Sequence, residues 1–216
     1  MKKLVIFDMD GLMIDSETIT FNCYMKTLNE YGYDFNLEMY KTLLGKNAEN
    51  AKNQMRNWYG ESFPLMEVYT LIYNRVQEEL KKHIPLKKGL LELLSYLKDH
   101  NYKMVVATGS VRWRVEDILS SAHIDSYFID MVCGDEVENS KPHPEVFLKA
   151  CTKANVNASD ALVLEDSESG ILASYRGGID CICIPDMKYP EPEYEEKATA
   201  ILDSLFDVIP YLEKDA

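Results

Sequence analysis

Hydrophobic positions along the chain fall into two patterns. Five short runs, Leu4–Phe7, Met104–Ala107, Tyr127–Cys133, Ala161–Leu164 and Asp180–Ile184, are nearly continuous in apolar, largely β-branched residues. Such runs predict strands buried on both faces, as in a parallel sheet. Between them lie longer stretches with helical spacing. Leu90–His100 carries leucines at 90, 91, 93, 94 and 97, and Val111–Ala122, Pro144–Ala154 and Ser169–Arg176 follow the same pattern. These predict amphipathic helices, and their alternation with strands predicts βαβ units with right-handed crossovers. The acidic, Pro-containing stretch Pro185–Glu196 reads as a surface loop. A last short strand near Thr199–Leu202 and a helix over Asp203–Leu212 close the chain.

The alternation breaks once. After Asp10-Gly11 no strand pattern returns until about residue 103. Helical periodicity fills the gap at Thr18–Glu30, Leu37–Leu44, Ala48–Trp58 and Phe63–His83, punctuated by Gly32, Gly45 and Gly60. The expected architecture is α/β: a Rossmann-like parallel-sheet core built from residues 1–15 and 84–216. A helical-bundle domain, residues 16–83, is inserted after the first strand. The aromatic residues of that insert (Tyr24, Tyr31, Tyr33, Tyr40, Trp58, Tyr59, Tyr69 and Tyr73) read as its core and surface rather than as a stacking platform.

Charge narrows the partners. Asp and Glu number 36 against 23 Lys and Arg, a formal net charge of −13. That balance argues against nucleic acid or an anionic membrane as partner, since both need a basic surface. It leaves a small anionic substrate open, because local charge decides there. No apolar run approaches the roughly 18 residues of a membrane span, and Asp8 and Asp10 cut the N-terminal apolar run too short for a signal peptide. Five cysteines, an odd number without framework spacing, read as reduced thiols of a cytoplasmic protein. Cys181 and Cys183 share one face of a strand and read as buried packing.

In open α/β sheets, ligands bind at the carboxyl ends of the strands. The first strand ends in Asp8-Met9-Asp10-Gly11, the second in Thr108-Gly109-Ser110, and the fourth in Glu165-Asp166-Ser167; Lys141-Pro142 follows the third. A lone DxD is weak evidence, but the ordered set is strong. It resembles the haloacid dehalogenase superfamily. The matching stretches are Asp8 to Glu17, Val106 to Ser110, Ser140 to Pro144 and Leu164 to Gly170. The insert is similar to the small helical cap of the branch that holds β-phosphoglucomutases and sugar-phosphate phosphatases.

The resemblance implies an enzyme working through an aspartyl-phosphate on Asp8. It implies Mg²⁺ held by Asp8, the backbone carbonyl of Asp10 and Asp166, with Glu165 as an outer partner or a ligand through water. Hard oxygen donors suit that ion. Asp10 is implied as general acid and base, work worth about 10²–10⁴ in rate. Thr108 and Lys141 would bind the transferring phosphoryl group, helped by the backbone N–H groups of Met9 and Gly109. Ser110 and the cap residues Lys46 and Asn47 are candidate substrate contacts.

The plain alternative is that strand-end Asp, Ser and Thr residues merely cap helices. It is favoured for Asp15 and Ser16, and it stands open for Ser110, which precedes the helix expected at Val111. Glu168 reads as a surface helix residue, His143 as a loop residue, and Ser167 could serve either purpose.

The expected activity is phosphomonoester hydrolysis on small phosphorylated metabolites, with sugar phosphates foremost, by a monomer. The alternative is a β-phosphoglucomutase-like mutase, which needs a second phosphate site in the cap. Mutases of that type carry a His and an Arg where Thr20 and Ala48 stand here. Lys46, and less so Arg75, could still bind a distal phosphate. A catalytically silent binding module on the same fold is the third reading. It has no need of Asp8, Asp10, Lys141 and Asp166 together.

Overall fold

The structure is a computed structural model that describes residues 2–44 and 48–214. It divides into two compact units, residues 1–15 with 85–216, and residues 16–84. The first unit is built on a six-stranded, wholly parallel sheet: β1 (Leu4–Phe7), β2 (Lys103–Ala107), β3 (Asp130–Val132), β4 (Ala161–Glu165), β5 (Asp180–Cys183) and β6 (Ala200–Ile201). The strand order is β3-β2-β1-β4-β5-β6. The chain runs outward from β1 on one side, then crosses to β4 on the other. The carboxyl end of β1 is therefore a topological switch point, where an open α/β sheet leaves a crevice.

Helices cover both faces of the sheet, which explains the near-continuous apolar strands. Leu4, Ile6, Val105, Ala107, Val132, Val163, Cys181 and Cys183 point to one face. They pack with Val146, Phe147, Ala150 and Ala154 of α7 (Glu145–Ala154) and Ile171 and Ala173 of α8 (Glu168–Gly177). The alternate residues Val5, Phe7, Met104, Val106, Leu162 and Leu164 face the other way and are equally buried. On that side α5 (Leu90–Asp99) packs against β2, and Phe7 meets Phe128 edge-on at 5.7 Å.

Some boundaries differ from the sequence expectation. The run Tyr127–Cys133 yields a strand only at 130–132, because Asp125–Tyr127 closes a 3₁₀ turn first. The Pro185–Glu196 loop contains a one-turn helix, α9 (Pro192–Glu195), opened by a proline at its first position. The C-terminal helix begins later than Asp203: a 3₁₀ turn at Leu205–Asp207 leads into α10 (Val208–Lys214).

The second unit holds α1 (Ser16–Glu30), α2 (Leu37–Lys41), α3 (Ala48–Tyr59) and α4 (Leu65–Lys82). Helices α1 and α4 pack together, burying Thr27 and Leu28 of α1 and Val68 and Ile72 of α4. The aromatics form a connected core: Phe35 contacts Phe21, Tyr24, Tyr40 and Trp58, while Tyr33, Tyr59 and Phe63 contact one another. Tyr73, by contrast, is exposed.

Candidate active site

The crevice at β1 is built from four chain segments. Register places Phe7 level with Val106 of β2 and Leu164 of β4, so Asp8 emerges between the ends of both neighbours. Its backbone N–H donates to the Leu164 carbonyl at 3.0 Å. The chain then turns tightly: Gly11 donates to Ile14, and Met13 and Ile14 donate back to Met9. Gly11 sits at φ +85°, and a Cβ there would overlap the Asp166 carboxylate. Only glycine satisfies both conditions. The turn thereby lets the Asp166 carboxylate come close to the Gly11 backbone.

Asp8 is 6% exposed and Glu165 1% exposed. The ammonium of Lys141 lies between them, donating to Asp8 Oδ1 at 2.5 Å and to Glu165 Oε1 at 2.6 Å. It also donates to the Ala107 carbonyl at 3.3 Å and lies 4.7 Å from the centre of the Phe147 ring. The Lys141–Pro142 bond is cis. The other oxygen of Glu165 accepts from the Asp166 N–H, the Ser167 N–H and the Ser167 hydroxyl, each at 2.9 Å. Glu165 thus anchors both Lys141 and the start of α8. A Cβ at Gly170 would collide with its carboxylate, which is why the first turn of α8 can come so close.

Burial pushes the Asp8 carboxyl up, to about 7, with Lys141 pulling the other way. Burial also disfavours the charged lysine, yet Asp8 and Glu165 together outweigh it and hold Lys141 above its ordinary value. Oxygens of Asp8, Glu165 and Asp166 lie within 4.8 Å of one another. Three hard carboxylates so placed fit a small hard cation such as Mg²⁺.

Thr108 is 2% exposed, and its Oγ1 accepts from the Ser110 N–H at 3.2 Å. The Gly109 carbonyl lies so close to Gly134 that a Cβ at 134 would overlap it. Ser110 does not cap the following helix, α6 (Arg112–Ser121), whose N-cap is Val111 without a side-chain bond. Its hydroxyl donates instead to Asp10 Oδ2 at 2.8 Å. Ser167 does cap α8, accepting from the Gly170 N–H. Glu168 accepts from Lys188 and from the Glu191 N–H, which ties the 185–196 loop to α8.

One residue of the site escaped the sequence reading. Arg114 of α6 forms a two-pronged pair with Asp10, Nη1 to Oδ2 and Nη2 to Oδ1, both at 2.7 Å, and Nη1 also bonds Ser110 Oγ. A signal for it exists: α6 has no acidic residue in its first turn but carries Arg112 and Arg114 there. The helix dipole disfavours cations at that end, so each needs a carboxylate elsewhere. Arg112 finds Glu136, and Arg114 finds Asp10.

The structure therefore brings together Asp8, Lys141, Glu165 and Asp166, and separately Asp10, Ser110 and Thr108. In the helical unit Arg75 is engaged by Thr27 at 2.9 Å and Glu30 at 2.6 Å. Lys46 and Asn47 lie outside the described residues.

The family profile of haloacid dehalogenase-like hydrolases matches residues 5–184. The chain belongs to that family. It is accordingly an enzyme, a hydrolase. It is 30% identical over 182 residues to a phosphorylated carbohydrates phosphatase of Thermotoga maritima, a match covering 82% of each chain. It is 32% identical over 213 residues to a Drosophila melanogaster protein named as a probable pseudouridine-5'-phosphatase, covering 95% of this chain and 90% of that one. A crystal structure of a haloacid dehalogenase-like protein from Agrobacterium tumefaciens shares the fold, with a TM-score of 0.83 at 22% identity over 100% of this chain and 99% of the other. No helix among the described residues is long and apolar enough to cross a membrane.

Proposed function

We propose that this hydrolase is a Mg²⁺-dependent phosphomonoesterase of small phosphorylated metabolites, sugar phosphates foremost. The carrying observation is the buried Asp8 carboxylate at the switch point, held by Lys141 and flanked by the oxygens of Glu165 and Asp166. The similarity to a phosphorylated carbohydrates phosphatase supports the substrate class.

An oxygen of Asp8 attacks phosphorus, and the bond to the leaving oxygen breaks. Asp10 supplies that oxygen's proton. Water then attacks the aspartyl-phosphate on phosphorus, gives its proton to Asp10, and frees Asp8 and inorganic phosphate. A cation bound by Asp8, Asp166 and the Asp10 carbonyl would supply positive charge where a dianion must approach a carboxylate. Lys141 offsets charge on the transferring oxygens, and so does Thr108, whose hydroxyl accepts from the Ser110 N–H and still has its own hydrogen to donate. Glu165 holds Lys141 in place. The resemblance gives the helical insert 16–83 the part of choosing the leaving group, with Lys46 and Asn47 as the candidate residues for it. The mutase alternative loses one support, since Arg75 is already committed to Glu30.

The test is phosphate release from a panel of sugar phosphates, nucleotides and p-nitrophenyl phosphate, with Mg²⁺ and with EDTA. Release from one or a few sugars, abolished by EDTA and restored by Mg²⁺, is the expected result. Metal-independent release would remove the cation from the reading. Conversion of glucose 1-phosphate to glucose 6-phosphate without free phosphate, given a bisphosphate primer, would make the enzyme a mutase.

A further inference from the structure

Asp10 is gripped more firmly than acid/base work by itself explains. Both of its oxygens accept from one guanidinium at 2.7 Å, and Ser110 adds a third bond at 2.8 Å. The side chains of Arg114 and Asp10 are 15% and 28% exposed, so the pair is shielded on most sides. Arg114 stands in the first turn of α6, where the helix dipole opposes it, and Asp10 offsets that cost.

We propose that Arg114 is a positioning residue for Asp10: its planar fork fixes the plane of the carboxyl group that exchanges protons with the leaving oxygen and the attacking water. The inference rests on the acid/base reading of Asp10 given above. A carboxylate on a short side chain held by one hydroxyl can still rotate. Two parallel N–H···O bonds from a guanidinium define its plane, which a lysine cannot do. The clamp also has a second consequence. Arg114 and Ser110 belong to the same segment as Thr108, which lines the phosphoryl side. Displacing that segment therefore moves the proton donor and the phosphoryl contact together. Misplacement of a reacting group by about 1 Å is enough to cost about 10² in rate.

Rapid-quench measurement of first-product release separates this role from a structural one. The two substrates are the fastest alkyl phosphate of the panel, whose leaving oxygen needs a proton, and p-nitrophenyl phosphate, whose phenolate leaves without one. Arg114→Gln is expected to lower the alkyl-to-aryl rate ratio by about tenfold or more, part of the 10²–10⁴ of general acid catalysis. Arg114→Lys, which keeps the charge and loses the fork, recovers the ratio only in part. Added to Asp10→Asn, Arg114→Gln should change the ratio no further, because it acts through Asp10.

Equal loss on both substrates, or an additive double variant, would overturn the inference. If Asp10→Asn lowers the ratio and Arg114→Gln does not, the inference fails alone. If Asp10→Asn leaves the ratio intact, or the unmutated enzyme turns over no phosphate ester, the acid/base reading fails and takes this inference with it. Should Arg114→Gln not fold, Arg114→Lys carries the same comparison.

Discussion

Lys141 carries two burdens at once. It touches the proposed nucleophile, and it is the cation between two buried carboxylates. Removing one partner of a buried ion pair leaves an uncompensated charge and costs about 3–5 kcal/mol. Lys141→Ala leaves Asp8 and Glu165 facing each other, so urea unfolding without divalent metal should show a loss of that order. A loss below about 1 kcal/mol would mean that water already screens the pocket. Asp8→Asn behaves differently. Lys141 keeps Glu165 at 2.6 Å, and the amide fills the same volume. Turnover is expected to vanish while the melting temperature stays within a few degrees of the parent. Phosphate release by a folded Asp8→Asn protein would move the nucleophile elsewhere.

The loop that delivers Lys141 is pinned at the level of the element. Glu145, the first residue of α7, accepts from the N–H groups of Glu138 and Asn139 at 2.9 Å and pairs with Lys149 at 2.7 Å. The Lys149 pair and these backbone donors lower its carboxyl from the ordinary 4.5 to about 2. A folded-state value below the unfolded one stabilises the native state above about pH 4.5, and that stability is lost as pH falls toward 2. The melting-temperature gap between the parent and Glu145→Gln should therefore be full at pH 6 and shrink between pH 4.5 and 2.5. A gap that stays constant with pH would assign the effect to packing instead.

Across the whole molecule, the thiols are buried in both units, in helices as well as in β5. All five cysteines are free and buried. Burial pushes Cys133 and Cys151 up to about 11, Cys183 to about 12, and Cys181 well above its ordinary value. Thiolate is the reactive form, so the native protein should resist iodoacetamide at pH 8 and take up five alkyl groups in denaturant, as counted by mass spectrometry. Labelling of Cys181 or Cys183 in the native state would show that β5 opens readily. The α/β order, the strands and the helical insert were legible because each element repeats its own hydrophobic period over its whole length. The strand at 127–133 read too long because Asp125–Tyr127 turns before pairing begins, which periodicity cannot register.

The sequence by itself determined which chemical groups stand at the strand ends: Asp8 and Asp10, Thr108, Lys141, Glu165 and Asp166 were all legible there. Parallel topology sends successive strand ends to one edge, so their order along the chain was enough to gather them. Only the tertiary structure decided how they pair. Lys141 reaches across 133 residues to Asp8, Glu165 turns out to be its anchor, and Ser110 joins Asp10 instead of capping α6. Arg114 was invisible as a site residue, since its partner lies 104 residues away. Hydrophobic period is a local property of the chain, whereas a charge pair depends on which two distant turns the fold sets side by side.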